Sequence, residues 1–156
     1  MQLFKCMSGV ISMKLSTKCR YGVRAMVEIA RHYKEGPVKR KDITKAQDLS
    51  NAYLENILIT LKANKLIHTT RGANGGFVLE GEPSRISLYT IVSTLEGTIA
   101  PVDCLERESV CDKTSFCVAR KAWRKLHDAQ LAVLRSISLQ DLLDMETDSN
   151  EIMYSI

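Results

Sequence analysis

Three cysteines fall within fourteen residues of this chain, a spacing that suits chemistry at sulfur. Cys104, Cys111 and Cys117 follow the pattern C-x6-C-x5-C, in a segment with no regular apolar period. Core cysteines usually occur singly on an apolar face, whereas clustered thiols in a loop can converge on one point. Thiolates are soft ligands for metals, and redox sensors use the same groups. The spacing therefore predicts a metal or redox site at residues 104–117.

Composition indicates the compartment in which these thiols work. The chain has 156 residues, of which 45% are hydrophobic, which suits one domain or one compact module with an added helix. No apolar run approaches the ~18 residues of a membrane span. The weakly apolar start, Met1 to Ser12, is a poor signal peptide. We therefore expect a cytoplasmic protein with no membrane partner, a disordered extension at 1–12, and cysteines that stay reduced.

Charge is unevenly distributed along the chain. Residues 13–82 carry a net charge of +6, and residues 83–156 carry a net charge of −3. A basic front half favours a polyanionic partner for that half alone. Ordinary surface charge remains the alternative on this observation taken by itself.

The elements that must position a DNA-reading surface precede the cysteines. Apolar residues recur at helical spacing from Thr17 to Tyr33, and Ser16 or Thr17 can cap the start of this helix. Gly36-Pro37 ends it. Gly22 is a costly residue inside a helix, so its presence indicates close packing against a neighbour.

A second and a third helix follow. A short helix lies within 38–47, a tight turn occupies 48–49, and Ser50 caps a third helix with an apolar stripe. The stripe consists of Leu54, Ile57, Leu58 and Leu61. Two short helices joined by a tight turn, in a basic context, predict a helix-turn-helix.

A β-hairpin is predicted immediately after the third helix. Short β-branched and apolar runs at 66–70 and 76–79 flank a tip rich in glycine, Arg71-Gly-Ala-Asn-Gly75. A hairpin in this place is a wing, and an arginine at its tip suits a narrow, electronegative minor groove. A plain hairpin with a solvated arginine is the alternative.

Behind the wing, the chain leads to a long helix. We expect a winged-helix domain at 13–82, a connecting helix and linker at 83–103, the cysteine loop at 104–117, a dimerisation region at 115–145 and a loose tail at 146–156. The long helix, from about Ser115 to Ser136, carries an apolar seam at alternating spacings of four and three, typical of a helix pair. The seam residues are Trp123, Leu126, Val133 and Ile137.

The predicted fold is mainly α with a small β-hairpin wing, a winged helix-turn-helix followed by a long dimerisation helix. A last short helix is expected from Leu139 to Met145. The rest of the chain is too small to cover the seam, so we expect a second copy of the chain to pack against it. Such a homodimer suits an imperfectly palindromic operator in double-stranded DNA. The sequence shows no nucleophile–base pair, phosphate loop or paired carboxylates, so an enzyme is not expected.

Several stretches together carry a specific resemblance. They are Met13-Lys-Leu-Ser-Thr-Lys-Cys-Arg-Tyr-Gly-Val-Arg-Ala-Met26, Glu35-Gly-Pro37, Ser50-x-x-Tyr53-Leu54-Glu55, Leu66-Ile67-x-x-x-Arg71-Gly72-x-x-Gly75-Gly76-Phe77, Leu95-Glu96-Gly97, Pro101-Val102-Asp103-Cys104 and Ile137-x-Leu139-x-Asp141-Leu142. Over roughly residues 13–145 the chain resembles the IscR/NsrR/CymR family of bacterial winged-helix transcription regulators.

The resemblance implies a homodimer and, as in several members, an iron–sulfur cluster held by Cys104, Cys111 and Cys117. Whether the cluster is 2Fe-2S or 4Fe-4S stays open. Ser50 and Glu55 stand where the family's recognition helix meets phosphate and base edges, and Arg71 stands where the wing enters the minor groove. The full set of expected DNA-contacting residues is Ser50, Asn51, Tyr53, Glu55, Lys62, Arg71 and Asn74.

The chain departs from the family pattern at the cluster. The first cysteine gap is longer than in IscR, and Arg120 stands where IscR has a histidine ligand. A guanidinium does not ligate iron. The candidate fourth ligands are Cys19 of the partner subunit, beside the position where NsrR supplies an aspartate, an exogenous ligand, and a carboxylate from Asp103, Glu106 or Glu108. Cys19 as a buried packing residue is the alternative, and zinc on the same thiols is another.

These observations favour a dimeric, cytoplasmic DNA-binding repressor that senses iron–sulfur status, redox state or nitric oxide through a labile cluster. A cluster-free regulator of the CymR type, switched by a partner protein or by thiol oxidation, is the first alternative. An iron–sulfur electron carrier is the second, although it would need neither a wing nor a recognition helix.

Overall fold

Helices dominate the structure, a computed structural model that describes the backbone of residues 14–154 and the side chains of residues 14–148. The extension predicted at 1–12 lies outside the described residues. The helices are α1 (Thr17–Arg31), α2 (Arg40–Gln47), α3 (Asn51–Ala63), α4 (Leu88–Glu96), α5 (Val118–Ser136) and α6 (Leu139–Tyr154). An antiparallel hairpin of β1 (Ile67–Thr70) and β2 (Gly76–Leu79) separates α3 from α4. The predicted class, mainly α with a small wing, is confirmed.

Helix α1 is the centre of the core, since it packs against α2, α3, α4 and α6. The Ser16 hydroxyl caps its start by accepting from the Cys19 amide at 3.0 Å, and its inner face buries Met26 and Ile29. A Cβ at Gly22 would collide with the side chain of Leu95 on α4. The close packing predicted at Gly22 is therefore confirmed, because only glycine lets α1 and α4 approach this closely.

Helices α2 and α3 form the helix-turn-helix. Asp48 ends α2 in a left-handed conformation, with φ of 50°, and Ser50 caps α3 by accepting from the Tyr53 amide at 3.3 Å. The apolar stripe predicted on α3 is buried in the core; its residues are Leu54, Ile57, Leu58 and Leu61.

The wing is fixed to the segment that precedes α2. Val38 exchanges two backbone hydrogen bonds with Phe77, each of 2.9 Å, so a third short stretch of chain lies alongside the hairpin. A Cβ at Gly76 would lie 2.5 Å from the carbonyl oxygen of Val38, which excludes any larger residue from this contact. The wing therefore has a defined position relative to the helix-turn-helix.

Helix α5 begins at Val118, later than the predicted Ser115, because tight turns occupy residues 111–116 and Cys117 is its N-cap. It ends at Ser136, the predicted end, and Ile137, the last residue of the predicted seam, lies just beyond the helix in an extended conformation. The Ile137 carbonyl accepts from the Leu88 amide at 2.7 Å.

Helix α6 continues beyond the predicted end at Met145 and includes most of the segment expected to be a loose tail. No proline or glycine interrupts residues 139–154, and Arg31 of α1 bonds Glu146 of α6. A capping box of Ser138 and Asp141 begins the helix, with reciprocal bonds of 2.7 and 3.1 Å. None of the helices in the described part of the chain is long and apolar enough to cross a membrane.

Candidate DNA-binding surface and cysteine loop

The outer face of α3 carries most of the expected DNA-contacting residues. Ser50, Asn51 and Glu55 are exposed at its first turns, and Lys62 is exposed at its last turn. Tyr53 is half-buried, since its ring packs edge-to-face on Tyr21 of α1 with centroids 5.9 Å apart. The structure thus brings the polar residues together on one solvent-facing surface, with Tyr53 shared between that surface and the core.

Glu55 has a partner that the sequence did not indicate. Arg40, at the start of α2, donates from Nη1 to Glu55 Oε2 at 2.8 Å. Both side chains are well exposed, so the ion pair stabilises the fold by at most about 1 kcal/mol. A DNA phosphate can therefore displace the carboxylate from Arg40 at little cost. The contact depends on the packing of α2 on α3, which residue spacing alone does not specify.

The recognition helix is anchored to α1 through the end of α2. Arg24 of α1 donates from Nε to the Gln47 side chain at 2.7 Å and from Nη2 to the Gln47 carbonyl at 3.2 Å. Buried Gln47 in turn donates to Glu28 at 3.3 Å. These bonds give the last backbone carbonyl of α2 a hydrogen-bond donor and hold the helix-turn-helix against α1.

The wing tip is exposed from Arg71 to Asn74. Gly72 has a φ of +110°, and the Gly75 amide donates to its carbonyl at 2.9 Å, closing a tight turn. A cleft of about 320 Å³ separates the wing from the start of α2, and Lys39 and Arg40 line its helical side. Cations thus lie along the cleft as well as at the tip, as suits a surface that follows a phosphate backbone.

The cysteine loop links α4 to α5 through two 3₁₀ turns, Asp103–Leu105 and Glu108–Val110. Cys104 and Cys117 are half-buried, Cys111 is exposed, and all three thiols are free. Among the described residues, no three of the His, Cys, Asp and Glu side chains lie close enough to share a metal ion. Three thiols in one short segment are soft donors of the kind that metals take, and they would have to come closer together to share one.

Arg120, in the first turn of α5, bonds two residues of this loop. It donates from Nε to the Cys104 carbonyl at 3.0 Å and from Nη2 to Glu108 Oε1 at 2.9 Å. In the sequence, Arg120 is recognisable only because it stands where IscR has a histidine ligand. In the structure, it connects two parts of the cysteine loop.

The carboxylates considered as ligands have different surroundings. Glu108 binds Arg120, and Glu106 accepts a hydrogen bond from the Thr98 hydroxyl just after α4. Asp103 is half-buried, and its backbone carbonyl accepts from the amides of Glu106 and Arg107 at 3.1 and 3.0 Å. Two of the three candidate carboxylates are therefore already engaged within the protomer.

Cys19 lies in the core, with no exposed surface. Burial, and then the neighbouring carboxylate of Glu96 with which it shares a hydrogen bond, raises the pKa of the Cys19 thiol to about 12. Metal ligands are thiolates at accessible positions, whereas Cys19 is a neutral thiol with no exposed surface in the protomer. This position favours Cys19 as a buried packing residue, which is the alternative to its role as a ligand.

Helix α5 has no buried residue in the protomer. Three of the predicted seam residues are exposed, Trp123 by 42%, Leu126 by 36% and Val133 by 58%. A cavity of about 730 Å³ lies beside Leu126, bounded by the start of α1 and the connector after α4. The helix therefore presents a long apolar face that the protomer itself leaves uncovered.

Comparison with known proteins shows which family this architecture resembles. Residues 15–145 match the Rrf2 family, described as iron-dependent transcriptional regulators. The chain is 39% identical over 142 residues to the HTH-type transcriptional regulator CymR of Bacillus subtilis, covering 91% of this chain and 97% of the relative. It is 35% identical over 132 residues to the regulator IscR of Photorhabdus laumondii, covering 85% and 80% respectively.

A solved structure extends the likeness to three dimensions. The fold superimposes on T. potens IscR with a TM-score of 0.75 at 36% identity, covering 90% of this chain and 93% of that one. These relatives are transcription regulators, which confirms the expectation that the chain is not an enzyme. With a family match over most of its length and relatives above 30% identity, the chain belongs to the Rrf2 family of winged-helix transcription regulators.

Proposed function

We propose that the protein is a homodimeric, sequence-specific DNA-binding repressor that senses iron–sulfur status, redox state or nitric oxide through a labile cluster on Cys104, Cys111 and Cys117. One observation carries the proposal. Three free thiols lie outside the core, in the segment that joins the winged domain to an uncovered helix. A change at these thiols therefore acts in the segment between the DNA-binding domain and the helix that we expect to form the dimer. The site of action is the cytoplasm, where bacterial DNA lies.

DNA recognition is assigned to α3 and the wing. Ser50, Asn51 and Lys62 are free to contact phosphates, and Glu55 can accept from cytosine N4 once Arg40 has turned to the backbone. Arg71 and Asn74 at the wing tip suit the adjacent minor groove. The operator then consists of two half-sites about one helical turn (~34 Å) apart, because the dimer has two such surfaces.

The cluster assignment depends on donor chemistry. Three thiols of one short segment supply the soft ligands that a 2Fe-2S or 4Fe-4S cluster needs, and none of them is buried. When bound, the cluster supplies charge and ligation that respond to oxidant, nitric oxide and iron supply. An exogenous ligand or a carboxylate of the loop, for which Asp103 is the least engaged, completes the set better than buried Cys19.

The loop is connected to the DNA-binding domain through polar contacts. Glu106 of the loop binds Thr98, which lies two positions beyond Glu96 at the end of α4. Glu96 in turn accepts from the Ser16 amide, the N-cap of α1, at 2.6 Å. Since α1 carries the helix-turn-helix, a change of loop shape moves the recognition helices of a dimer relative to each other.

A cluster-free regulator of the CymR type is the second candidate. The observation that favours it is the geometry of the loop, where no three metal-binding side chains among the described residues come together and Arg120 bonds the Cys104 carbonyl. In this case the exposed Cys111 is the first thiol to react with an oxidant.

Anaerobic purification, followed by a visible absorption spectrum and assays of iron and acid-labile sulfide, decides between the two. The first candidate predicts a coloured protein with iron and sulfide in equal amounts, and loss of both in Cys104→Ala, Cys111→Ala and Cys117→Ala. Cys19→Ala is the matched control and should keep its cluster. A colourless parent that still selects a sequence from random duplex DNA would support the cluster-free regulator and reject the cluster.

A further inference from the structure

We propose that Arg120 is the positioning residue of the cysteine loop, because it fixes the backbone on which all three thiols are carried. The part of this inference that concerns a cluster rests on the proposed function, whereas the rest stands on the hydrogen bonds of the described residues. Arg120 lies in the first turn of α5, three residues after the N-cap residue Cys117.

One side chain joins three segments of chain. Its Nε–H donates to the carbonyl of Cys104 at 3.0 Å, which holds the first cysteine beside the start of α5. Its Nη2–H donates to Glu108 at 2.9 Å, and Glu108 opens the 3₁₀ turn that leads to Cys111. Arg120 thereby connects the backbone of Cys104 and the turn that precedes Cys111 to the first turn of α5, which follows Cys117.

Burial indicates which of the two bonds matters more. The Arg120 side chain is 14% exposed, whereas that of Glu108 is 78% exposed. Solvent screens the ion pair with Glu108, while the bond to the Cys104 carbonyl lies in the less exposed part of the contact. Lysine cannot reproduce the pair of bonds, because its ammonium group is a single point whereas the guanidinium is a planar fork.

The charge of Arg120 has a second consequence. The guanidinium places a positive charge beside the cysteines, which would offset the negative charge of thiolate ligands and would favour the reduced form of a cluster held there. A purely structural residue would have no such effect on a reduction potential.

The first arm of the test needs no cluster. Hydrogen exchange is measured on metal-free parent, Arg120→Met, Arg120→Lys and the control Arg124→Met, whose arginine is exposed one turn further along α5. The amides that report on the loop are those of Leu105, Glu106 and Arg107, which bond to Val102 and Asp103. We expect exchange at least about tenfold faster in Arg120→Met, an intermediate rate in Arg120→Lys, and parental rates in Arg124→Met.

The second arm uses the anaerobically loaded protein. Arg120→Met should lose iron faster in air and show a more negative reduction potential, with the thermal midpoint and dimer mass of the parent. Parental exchange, iron loss and potential in Arg120→Met would overturn the inference. If no variant, nor the parent, binds iron and sulfide, the cluster function fails, while the exchange rates still decide the role of Arg120.

A global loss of stability in Arg120→Met would make its exchange rates ambiguous. Glu108→Ala then takes its place, because it removes only the exposed partner of Arg120 and leaves the bond to Cys104. A local increase of about twofold to threefold in the exchange of the Val110 and Thr114 amides, which bond to Arg107 and Cys111 on the Glu108 side of the loop, supports the positioning role. Unchanged exchange at both of these amides in Glu108→Ala would reject it.

Discussion

Glu96, the last residue of α4, accepts a hydrogen bond at 2.6 Å from the backbone amide of Ser16, which precedes it by 80 positions and is the N-cap of α1. The same carboxylate contacts the buried thiol of Cys19. The connecting helix is therefore attached to the start of the central helix of the DNA-binding domain. This attachment fixes the cysteine loop relative to the recognition helix, and it makes the α1–α4 junction sensitive to pH.

The first prediction concerns that sensitivity. The pKa of the Cys19 thiol is about 12 in the folded protein against 9.0 for a free thiol, so the stabilisation it gives is complete below pH 9 and is lost as the pH rises toward 12. Between these values, Cys19 should lower the free energy of unfolding by about 1.4 kcal/mol per pH unit. Urea unfolding with a reductant present, at several pH values from 8 to 11, measures this slope.

Other groups titrate in the same range, so the comparison between variants isolates Cys19. Cys19→Ala should show a shallower decline of stability with pH than the parent. Cys111→Ala removes an exposed thiol and should keep the parental slope. Identical slopes in the parent and Cys19→Ala would show that the buried thiol does not control the pH response.

The second prediction concerns the wing. Arg71→Ala should weaken operator binding by ~1–3 kcal/mol and relax the preference for A·T-rich flanks, because the guanidinium reads the narrow minor groove. Fluorescence anisotropy at fixed salt, with operator and random duplexes, gives both quantities. Arg85→Ala is the matched control, since this exposed arginine lies beyond the hairpin and pairs with Glu82. Equal binding by the parent and Arg71→Ala to both duplexes would contradict the wing assignment.

The third prediction concerns the Arg40–Glu55 pair. Glu55→Ala frees Arg40 for phosphate and removes an acceptor for cytosine N4, so discrimination at the contacted base should fall while binding to random DNA is kept or increased. Arg40→Ala and Lys62→Ala should each weaken binding to all DNA sequences by about the same factor. Lys62→Ala should also reduce the slope of log affinity against log salt concentration by about one, as expected for the loss of one phosphate contact. An equal loss in Glu55→Ala on operators with and without that cytosine would reject the base contact.

The winged domain could be predicted closely from sequence because its signals are local. Ser50 caps α3, Gly72 and Gly75 form the wing turn, and the apolar stripe of α3 has helical spacing. Gly22 also carried its own signal, a costly residue retained inside a helix. The cap, the turn and the stripe depend on neighbours a few residues away, whereas Gly22, which packs against Leu95 of α4, is recognisable because glycine itself is unusual inside a helix.

The remaining features depend on contacts between distant segments. Ile137 continues the seam spacing of α5, but a backbone bond to Leu88 draws it into an extended segment. Arg40 gave no signal as the partner of Glu55, and Arg120 was recognisable only as a replaced ligand. Cys19 lay beside a family ligand position, yet its helix turns it into the core. Tertiary packing, rather than spacing, determines all four positions.

The last prediction concerns assembly. Trp123, Leu126 and Val133 leave an apolar stripe exposed on a helix with no buried residue, and we expect a second copy of the chain to cover it. Leu126→Asp places a charge in that seam, which costs several kcal/mol unless the charge stays in water, so the dimer should dissociate at micromolar concentration. Light scattering measures the mass, and operator affinity should fall with it because two half-sites are no longer bound together. Ala132→Asp adds the same charge on the far side of α5 and should remain dimeric. A monomeric parent, or a dimeric Leu126→Asp, would refute the seam.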